Sequence, residues 1–171
     1  MTPLSKIIDQ AKGATAADIV LRGGKVFDLI TGEMLAGDVA ICGDTIVGVF
    51  DTYEGREVID VSGLTLVPGF IDTHLHIESS LVTPFEFDRC VAPRGVTTAI
   101  CDPHEIANVL GIEGVKLMHD EAMLQPVNIY TQMPSCAPSA PGLETTGYEI
   151  TPEDVAEAMT WPGIIGLGEM M

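Results

Sequence analysis

Short apolar strands alternate with helical segments after Pro68, and this alternation restricts the fold more than any other feature of the chain. Candidate strands lie at 69–74, 95–101, 127–133 and 163–169, and candidate helices begin at Pro84, near residue 105 and at Thr151. Near-continuous apolar strands separated by helices are typical of a parallel sheet. A complete eight-stranded barrel of this kind needs about 250 residues. Less than half of that length follows Val67, so we expect an incomplete TIM-type (β/α)8 barrel, its first half.

The residues before Pro68 follow a different pattern. Residues 1–17 contain apolar side chains at helical spacing followed by a glycine break, which predicts an N-terminal helix. Short β-rich segments separated by turn residues fill 18–67 and predict a small β domain, a sandwich or half barrel. Residues 68–171 would then form the first four strands of the truncated barrel, which makes the whole chain an α/β protein.

Composition and charge restrict the partners. Of the residues, 46% are hydrophobic, and 25 acidic against 8 basic side chains give a net charge of −17. This charge disfavours binding to nucleic acid or to an anionic membrane surface, and no apolar run approaches the roughly 18 residues of a membrane span. The four cysteines lack C-x-x-C spacing, and the N-terminus lacks the layout of a secretory signal. We therefore expect reduced thiols and a cytoplasmic location.

Two histidines stand two residues apart at the end of the first candidate strand, in PGFIDTHLH at 68–76. Because side chains alternate along a strand, Asp72, His74 and His76 should project to the same side. Two imidazoles can bind one divalent metal, and the aspartate can orient or polarise that site. The alternative is a pair of core histidines without a ligand.

The second strand ends in Cys101-Asp102-Pro103-His104-Glu105, which places a carboxylate and an imidazole, those of Asp102 and His104, at the same edge of the sheet. Such a pair suits proton transfer, because histidine titrates near neutrality and an adjacent aspartate stabilises its protonated form. The alternative is a capped helix start in which Asp102 satisfies backbone amides and His104 is merely exposed.

The fourth strand ends in Gly166-Leu167-Gly168-Glu169, which leaves a carboxylate at the edge. Glu169 could ligate or bridge metals, and carboxylate with imidazole favours Mn, Fe or Zn; the alternative is an exposed glutamate without a function. His119 lies inside a helical segment and is interpreted as a surface or packing residue. His76-Ile77-Glu78 fits the H-x-E of zinc nucleobase deaminases, but the P-C-x-x-C that completes that motif is missing from the sequence, which excludes that fold.

A small β domain, PGFIDTHLH at the first strand and a carboxylate at the fourth resemble the amidohydrolase superfamily. Further segments resemble the adenine deaminase family within it, over essentially the whole chain from Ile7. These segments are HIESS at 76–80, CDPHEIANVLG at 101–111, IYTQMPSCAPS at 129–139 and GLGEMM at 166–171. Dihydroorotases and hydantoinases usually carry a carboxylated lysine at the fourth strand, where this chain has Glu169.

The resemblance implies hydrolytic deamination of the small molecule adenine to hypoxanthine and ammonia, in purine salvage or adenine catabolism. It implies a site for two divalent metals, Mn or Fe with Zn as an alternative, that activates the attacking water. His74 and His76 would bind one metal, and Glu169 would bridge both. Asp102 and His104 would move protons toward the leaving ammonia, and Glu78 would lie near the substrate.

The chain departs from the family in its length, because the superfamily takes two further histidine ligands and an aspartate from later strands. We therefore expect the N-terminal portion of the enzyme, inactive alone, with a missing C-terminal half or a homo-oligomer as its partner. Two alternatives stay open: a non-catalytic fragment or split-enzyme subunit, and a cyclic amidohydrolase with another substrate.

Overall fold

The structure is a computed structural model that describes residues 2–171, apart from the side chain of Phe50. The chain divides into two compact units, Met1–Pro68 and Gly69–Met171. None of the helices within residues 2–171 has the length and apolar character needed to cross a membrane.

The first unit contains one helix and two small sheets. Its elements are α1 (Leu4–Ala11), β1 (Ala17–Arg22), β2 (Lys25–Phe27), β3 (Met34–Ala36), β4 (Asp38–Cys42), β5 (Thr45–Asp51), β6 (Gly55–Asp60) and β7 (Thr65–Leu66). One sheet has the order β5-β4-β1-β6 and the other has the order β3-β2-β7. Ala17, Val20 and Ala40 form a buried core in the first sheet. Asp18 anchors α1 through an ion pair with Lys6 of 2.7 Å and a hydrogen bond from Gln10.

Two β-rich stretches of this unit, 19–28 and 56–67, are each divided between the two sheets. The segment at 19–28 forms β1 and β2, and the segment at 56–67 forms β6 and β7. The divisions coincide with Gly23 and Gly63, whose φ angles of +86° and +79° suit a turn and favour glycine. The chain therefore changes from one sheet to the other at each glycine turn.

The second unit is built from four strands and three helices in alternation. They are β8 (Phe70–Leu75), α2 (Pro84–Val91), β9 (Val96–Cys101), α3 (His104–Ala122), β10 (Asn128–Met133), α4 (Pro152–Ala158) and β11 (Ile164–Leu167). The strands pair in parallel in the order β11-β10-β9-β8. The strands and helices predicted for this part of the chain are thus confirmed, including the start of α4, where Thr151 and Asp154 form a reciprocal capping box.

Apolar side chains from the strands and helices form the core of this unit. Ala99, Cys101 and Ile129 of the sheet pack with Met118 and Ala122 of α3. A second buried cluster joins α3, β10 and α4 and contains Ala107, Val115, Met133, Ala137, Ile150 and Ala158. Helix α3 is interrupted at Gly111, where φ is +63° and the ring of Tyr148 occupies the space that a side chain would need.

The two outer strands of the parallel sheet each have one unpaired edge within the described part of the chain. Large apolar side chains of these strands are exposed, among them Phe70 and Ile71 of β8 and Ile165 and Leu167 of β11. An unpaired strand edge with exposed apolar side chains is a surface that favours association.

Candidate metal centre

The polar residues singled out from the sequence lie at the carboxyl ends of the parallel strands. His74 belongs to β8, His76 directly follows that strand, Asp102 directly follows β9, and Glu169 lies two residues after β11. Because parallel strands end at the same edge of a sheet, residues far apart in the sequence converge there.

Three side chains form the first cluster of potential metal ligands: His74, His76 and Glu169, each of which offers an atom within 4.8 Å of the other two. The Nε2 atoms of His74 and His76 lie 3.5 Å from Oε2 and Oε1 of Glu169, respectively. The side chain of His74 is 42% exposed and that of His76 is 21% exposed, so neither histidine is a buried core residue. The alternative of two core histidines is therefore wrong.

The spacing of these atoms fits a divalent ion. Two ligands that each lie about 2.1 Å from a tetrahedral ion are about 3.4 Å apart. The contacts of 3.5 Å are close to this separation and longer than usual for hydrogen bonds. Two imidazoles and one carboxylate also match the donor preferences of Zn, Mn and Fe. His74, His76 and Glu169 therefore fit a metal that the chain could bind at this edge.

Asp72 lies beside this cluster but is not part of it. Its side chain is exposed, and Oδ1 accepts a hydrogen bond of 3.3 Å from the backbone N–H of His74. Its contact with the site is thus through the backbone of one histidine.

Asp102 and His104 form a second, buried group that shares Glu169 with the first. Asp102 has no exposed surface, and His104 is 3% exposed. Oδ1 of Asp102 lies 3.4 Å from Nδ1 of His104, and neither atom has a hydrogen-bond partner among the residues described here. Nε2 of His104 lies 3.3 Å from the carbonyl oxygen of Cys136.

The capped-helix alternative for this pair is wrong. The N-cap of α3 is Pro103, without a side-chain capping bond, and His104 is buried instead of exposed. The other carboxylate oxygen of Asp102, Oδ2, accepts a hydrogen bond of 2.6 Å from the backbone N–H of Glu169. Asp102 thus connects the end of β9 to the end of β11.

Glu78 follows the two histidines in a 3-10 turn, Glu78–Ser80. Its Oε1 accepts a hydrogen bond of 3.3 Å from the backbone N–H of Ile106, and burial raises the pKa of this carboxyl. Its Oε2 is buried and lacks a hydrogen-bond partner among residues 2–171.

Glu105 is a residue of this site that the sequence reasoning missed. Its Oε2 lies 3.1 Å from Nδ1 of His76, and its Oε1 accepts a hydrogen bond from the hydroxyl of Ser79. Burial alone would raise the pKa of Glu105, but the hydrogen bond from Ser79 and the charge of His76 outweigh it, and the pKa is lowered. Its position directly after His104, in the first turn of α3, was the available signal.

Cys136 is the second residue missed, and it lies in the loop that follows β10. Its thiol donates a hydrogen bond of 3.3 Å to the carbonyl oxygen of Glu169 and accepts one of 3.2 Å from the backbone N–H of Met171. The same thiol lies 3.9 Å from Nε2 of His104. Its location after a strand end, like that of the other site residues, could have indicated it.

The remaining histidine has a packing role, as predicted. His119 is 4% exposed, its ring lies 5.7 Å from that of Trp161, and its Nδ1 lies 3.4 Å from the Thr131 hydroxyl. Cys42, Cys90, Cys101 and Cys136 are all free thiols.

Comparison with known proteins identifies the family. The profile described as "Amidohydrolase family" matches residues 65–165, more than half of the chain and the whole of the region from β8 to α4. The chain belongs to the amidohydrolase family. The resemblance seen in the sequence is thereby confirmed.

Among curated amidohydrolase relatives, several adenine deaminases match almost the whole chain. The adenine deaminase of Ruegeria sp. strain TM1040 is 62% identical over 172 residues, covering 97% of this chain and 29% of that protein. The enzyme of Cereibacter sphaeroides strain ATCC 17025 is 58% identical, and that of Brucella anthropi is 57% identical, each over 98% of this chain and 30% of the relative. The chain thus spans less than a third of the length of these relatives.

Solved structures support the amidohydrolase fold. The atrazine chlorohydrolase of Arthrobacter aurescens TC1, complexed with zinc, has a TM-score of 0.65 at 19% identity and covers 82% of this chain and 41% of its own. A triazine hydrolase variant has a TM-score of 0.62 at 17% identity, over 87% of this chain and 45% of its own. With four parallel βα strands in the second unit, these likenesses confirm the predicted incomplete barrel.

Proposed function

We propose that this chain contributes the metal centre of an adenine deaminase, a metal-dependent hydrolase that converts adenine and water to hypoxanthine and ammonia. The observation that carries the proposal is the 57–62% identity to adenine deaminases over 97–98% of the chain. Identity of this level far exceeds the 19% and 24% shared with the structurally similar atrazine chlorohydrolase and D-aminoacylase.

The metal ligands in this proposal are His74, His76 and Glu169. A bound divalent ion would polarise the substrate and lower the pKa of a water molecule toward neutrality. The carboxylate of Glu169 faces both imidazoles, and it has two oxygens with which to bridge two ions. Manganese or iron is the proposed metal, with zinc as the alternative. Imidazole and carboxylate donors suit all three.

Asp102 and His104 are the proposed groups for proton transfer to the leaving ammonia. Oδ1 of Asp102 faces Nδ1 of His104 at 3.4 Å, so a proton on that nitrogen would be stabilised by the carboxylate. Both residues are buried, which strengthens electrostatic interactions between them. A proton transfer of this type contributes a rate factor of about 10² to 10⁴.

Glu78 is the proposed contact to the substrate. Its Oε2 has no hydrogen-bond partner among residues 2–171, and a hydrogen-bonding group of the purine would supply one. Adenine is the proposed small-molecule partner, and the cytoplasm is the proposed location; both stay predictions.

The proposal is tested with a chimera, because the chain spans only part of its relatives. The matching segment of the Ruegeria adenine deaminase is replaced by this chain, loaded with Mn²⁺, and assayed for hypoxanthine formation from adenine. We expect deamination of adenine and no hydrolysis of dihydroorotate. His76→Ala should abolish turnover, whereas Glu86→Gln, an exposed substitution on α2, should not change it. A folded, metal-loaded chimera that hydrolyses dihydroorotate and leaves adenine unchanged would refute the proposal.

A further inference from the structure

We propose that Asp102 and Gly168 act together as positioning residues that hold Glu169 in place to bind metal. The inference rests on the ligand role of Glu169 in the proposed function, and it assigns Asp102 a second task besides proton transfer. It also gives a role to Gly168, which directly follows β11 and has no side chain of its own.

The contact that carries the inference joins a buried side chain to the backbone of the ligand. Oδ2 of Asp102 accepts a hydrogen bond of 2.6 Å from the backbone N–H of Glu169, and the two residues are 67 positions apart in the sequence. A hydrogen bond from a backbone amide to a carboxylate is short and stronger than a neutral one. Because Asp102 has no exposed surface, water does not compete for this oxygen.

Gly168 makes this approach sterically possible. A Cβ atom at Gly168 would lie 2.2 Å from Oδ2 and 2.6 Å from Cγ of Asp102. These distances are far below van der Waals contact, so any side chain at this position would displace the carboxylate, the backbone or both. The φ angle of Gly168 is not in the left-handed region, and the obstacle to a side chain is therefore the carboxylate of Asp102.

Two further contacts hold the same stretch of backbone. The N–H of Gly168 donates to the carbonyl oxygen of Met133 at 2.8 Å, and the thiol of Cys136 donates to the carbonyl oxygen of Glu169 at 3.3 Å. Glu169 is thus fixed on both sides of its Cα atom, and its carboxylate is directed toward His74 and His76. A ligand held in this way loses little conformational freedom when metal binds.

The roles of Asp102 and Gly168 are tested by measuring the binding of Mn²⁺ to the 171-residue chain. Electron paramagnetic resonance reports the concentration of free ion in this titration. Asp102→Ala and Gly168→Ala should each weaken binding about 10- to 100-fold, the range for residues that orient ligands. Asp102→Asn keeps an acceptor oxygen and should restore binding to within a few-fold of the wild type, although it would lose deamination in the chimera. Gly166→Ala is the matched control, because a Cβ there meets no atom within 4 Å.

The double variant Asp102→Ala/Gly168→Ala gives the sharpest outcome. Asp102→Ala removes the three atoms that lie nearest to a methyl group at position 168, so the double variant should bind no more weakly than Asp102→Ala alone. If the double variant weakens Mn²⁺ binding by the product of the two single-variant factors, the inference is overturned. Wild-type affinity in Gly168→Ala would also overturn it. A general loss of structure would instead weaken the double variant most.

Amide hydrogen exchange of Glu169 provides a readout without metal. The Glu169 N–H should be protected in the wild type and in Asp102→Asn, and should exchange rapidly in Asp102→Ala. Equal protection in all three would overturn the inference even if the chimera deaminates adenine. Conversely, inactivity of the chimera toward adenine would refute the proposed substrate and leave these exchange rates as expected.

Discussion

The carboxylate of Glu105 lies 3.1 Å from Nδ1 of His76, on the side of the ring opposite the Nε2 that faces Glu169. Histidines that bind metal commonly interact through their other ring nitrogen with a carboxylate, which fixes the orientation of the ring. The contact does not have hydrogen-bond geometry. Ion binding at Nε2 would favour a proton on Nδ1 and a tighter contact with Glu105.

Glu105→Gln should therefore weaken the binding of Mn²⁺ by about 10-fold or more, because the charge that favours the Nδ1 proton is lost. Titration calorimetry of the chain with Mn²⁺ measures this change. Glu86→Gln is the control, since it removes a carboxylate from the first turn of the neighbouring helix α2. Equal affinities of the two variants would show that Glu105 does not orient His76.

His119 should make folding less stable at acidic pH. Burial lowers its pKa, with the Lys116 charge in the same direction and the Asp120 charge against it. Below the unfolded pKa of about 6.5, the unfolded chain binds a proton at this histidine that the folded chain does not. Stability is therefore lost as the pH falls from 6.5 toward the folded pKa.

Urea unfolding of the wild type and of His119→Gln between pH 7.5 and pH 5.5 tests this contribution. The free energy of unfolding should decrease more steeply toward acid in the wild type than in the variant. The other three histidines are common to both proteins, so their titration cancels in the difference. Parallel curves would contradict the prediction.

The thiols should differ in reactivity. Burial raises the pKa of Cys101 to about 11, whereas Cys90 is exposed. Because the thiolate is the reactive form, Cys101 should resist dithionitrobenzoate at pH 8 until the chain unfolds, and Cys90 should react rapidly. Cys90→Ser should remove the fast phase. Peptide mass spectrometry that finds Cys101 modified in the folded chain would be incompatible with its burial.

The unpaired outer strands should cause the chain to self-associate. Ile165 of β11 is 50% exposed beside an edge without a strand partner in the described residues. Ile165→Lys adds a charge there and should increase the monomer fraction in sedimentation velocity at micromolar concentration. Leu143→Lys, in an exposed loop, adds the same charge and should have little effect. A wild-type chain that is monomeric throughout would contradict this expectation.

Local sequence patterns were sufficient to predict the second unit. Each βα step is signalled by an apolar run and a helix start within about 30 residues, as in Thr151-Pro152-Glu153 before α4. Convergence of His74, His76 and Glu169 followed from the rule that parallel strands end at one edge. These features depend on order along the chain and on strand polarity, both of which a single sequence contains.

Contacts between distant segments could not be predicted in the same way. The carboxylate of Asp102 accepts a hydrogen bond from the backbone N–H of Glu169. Every residue except proline has such an N–H group, so the residue type at position 169 does not indicate this contact. The sequence positions of Cys136 and Glu105 indicate the edge of the sheet at which they lie, but only the folded loop after β10 and the first turn of α3 reveal which side chains they contact. In the first unit, the division of two segments between sheets at Gly23 and Gly63 likewise depends on partners far along the chain.

The close approach of Asp102 to Gly168 links the evolutionary histories of two positions. A lineage that replaces the glycine first meets a steric clash, whereas one that first loses the carboxylate can later accept alanine at 168 without that clash. The order of the two substitutions therefore matters, and sequences with a side chain at 168 should be drawn from those that no longer carry aspartate at 102. An alignment of many relatives, sorted by these two columns, would reveal this dependence as covariation.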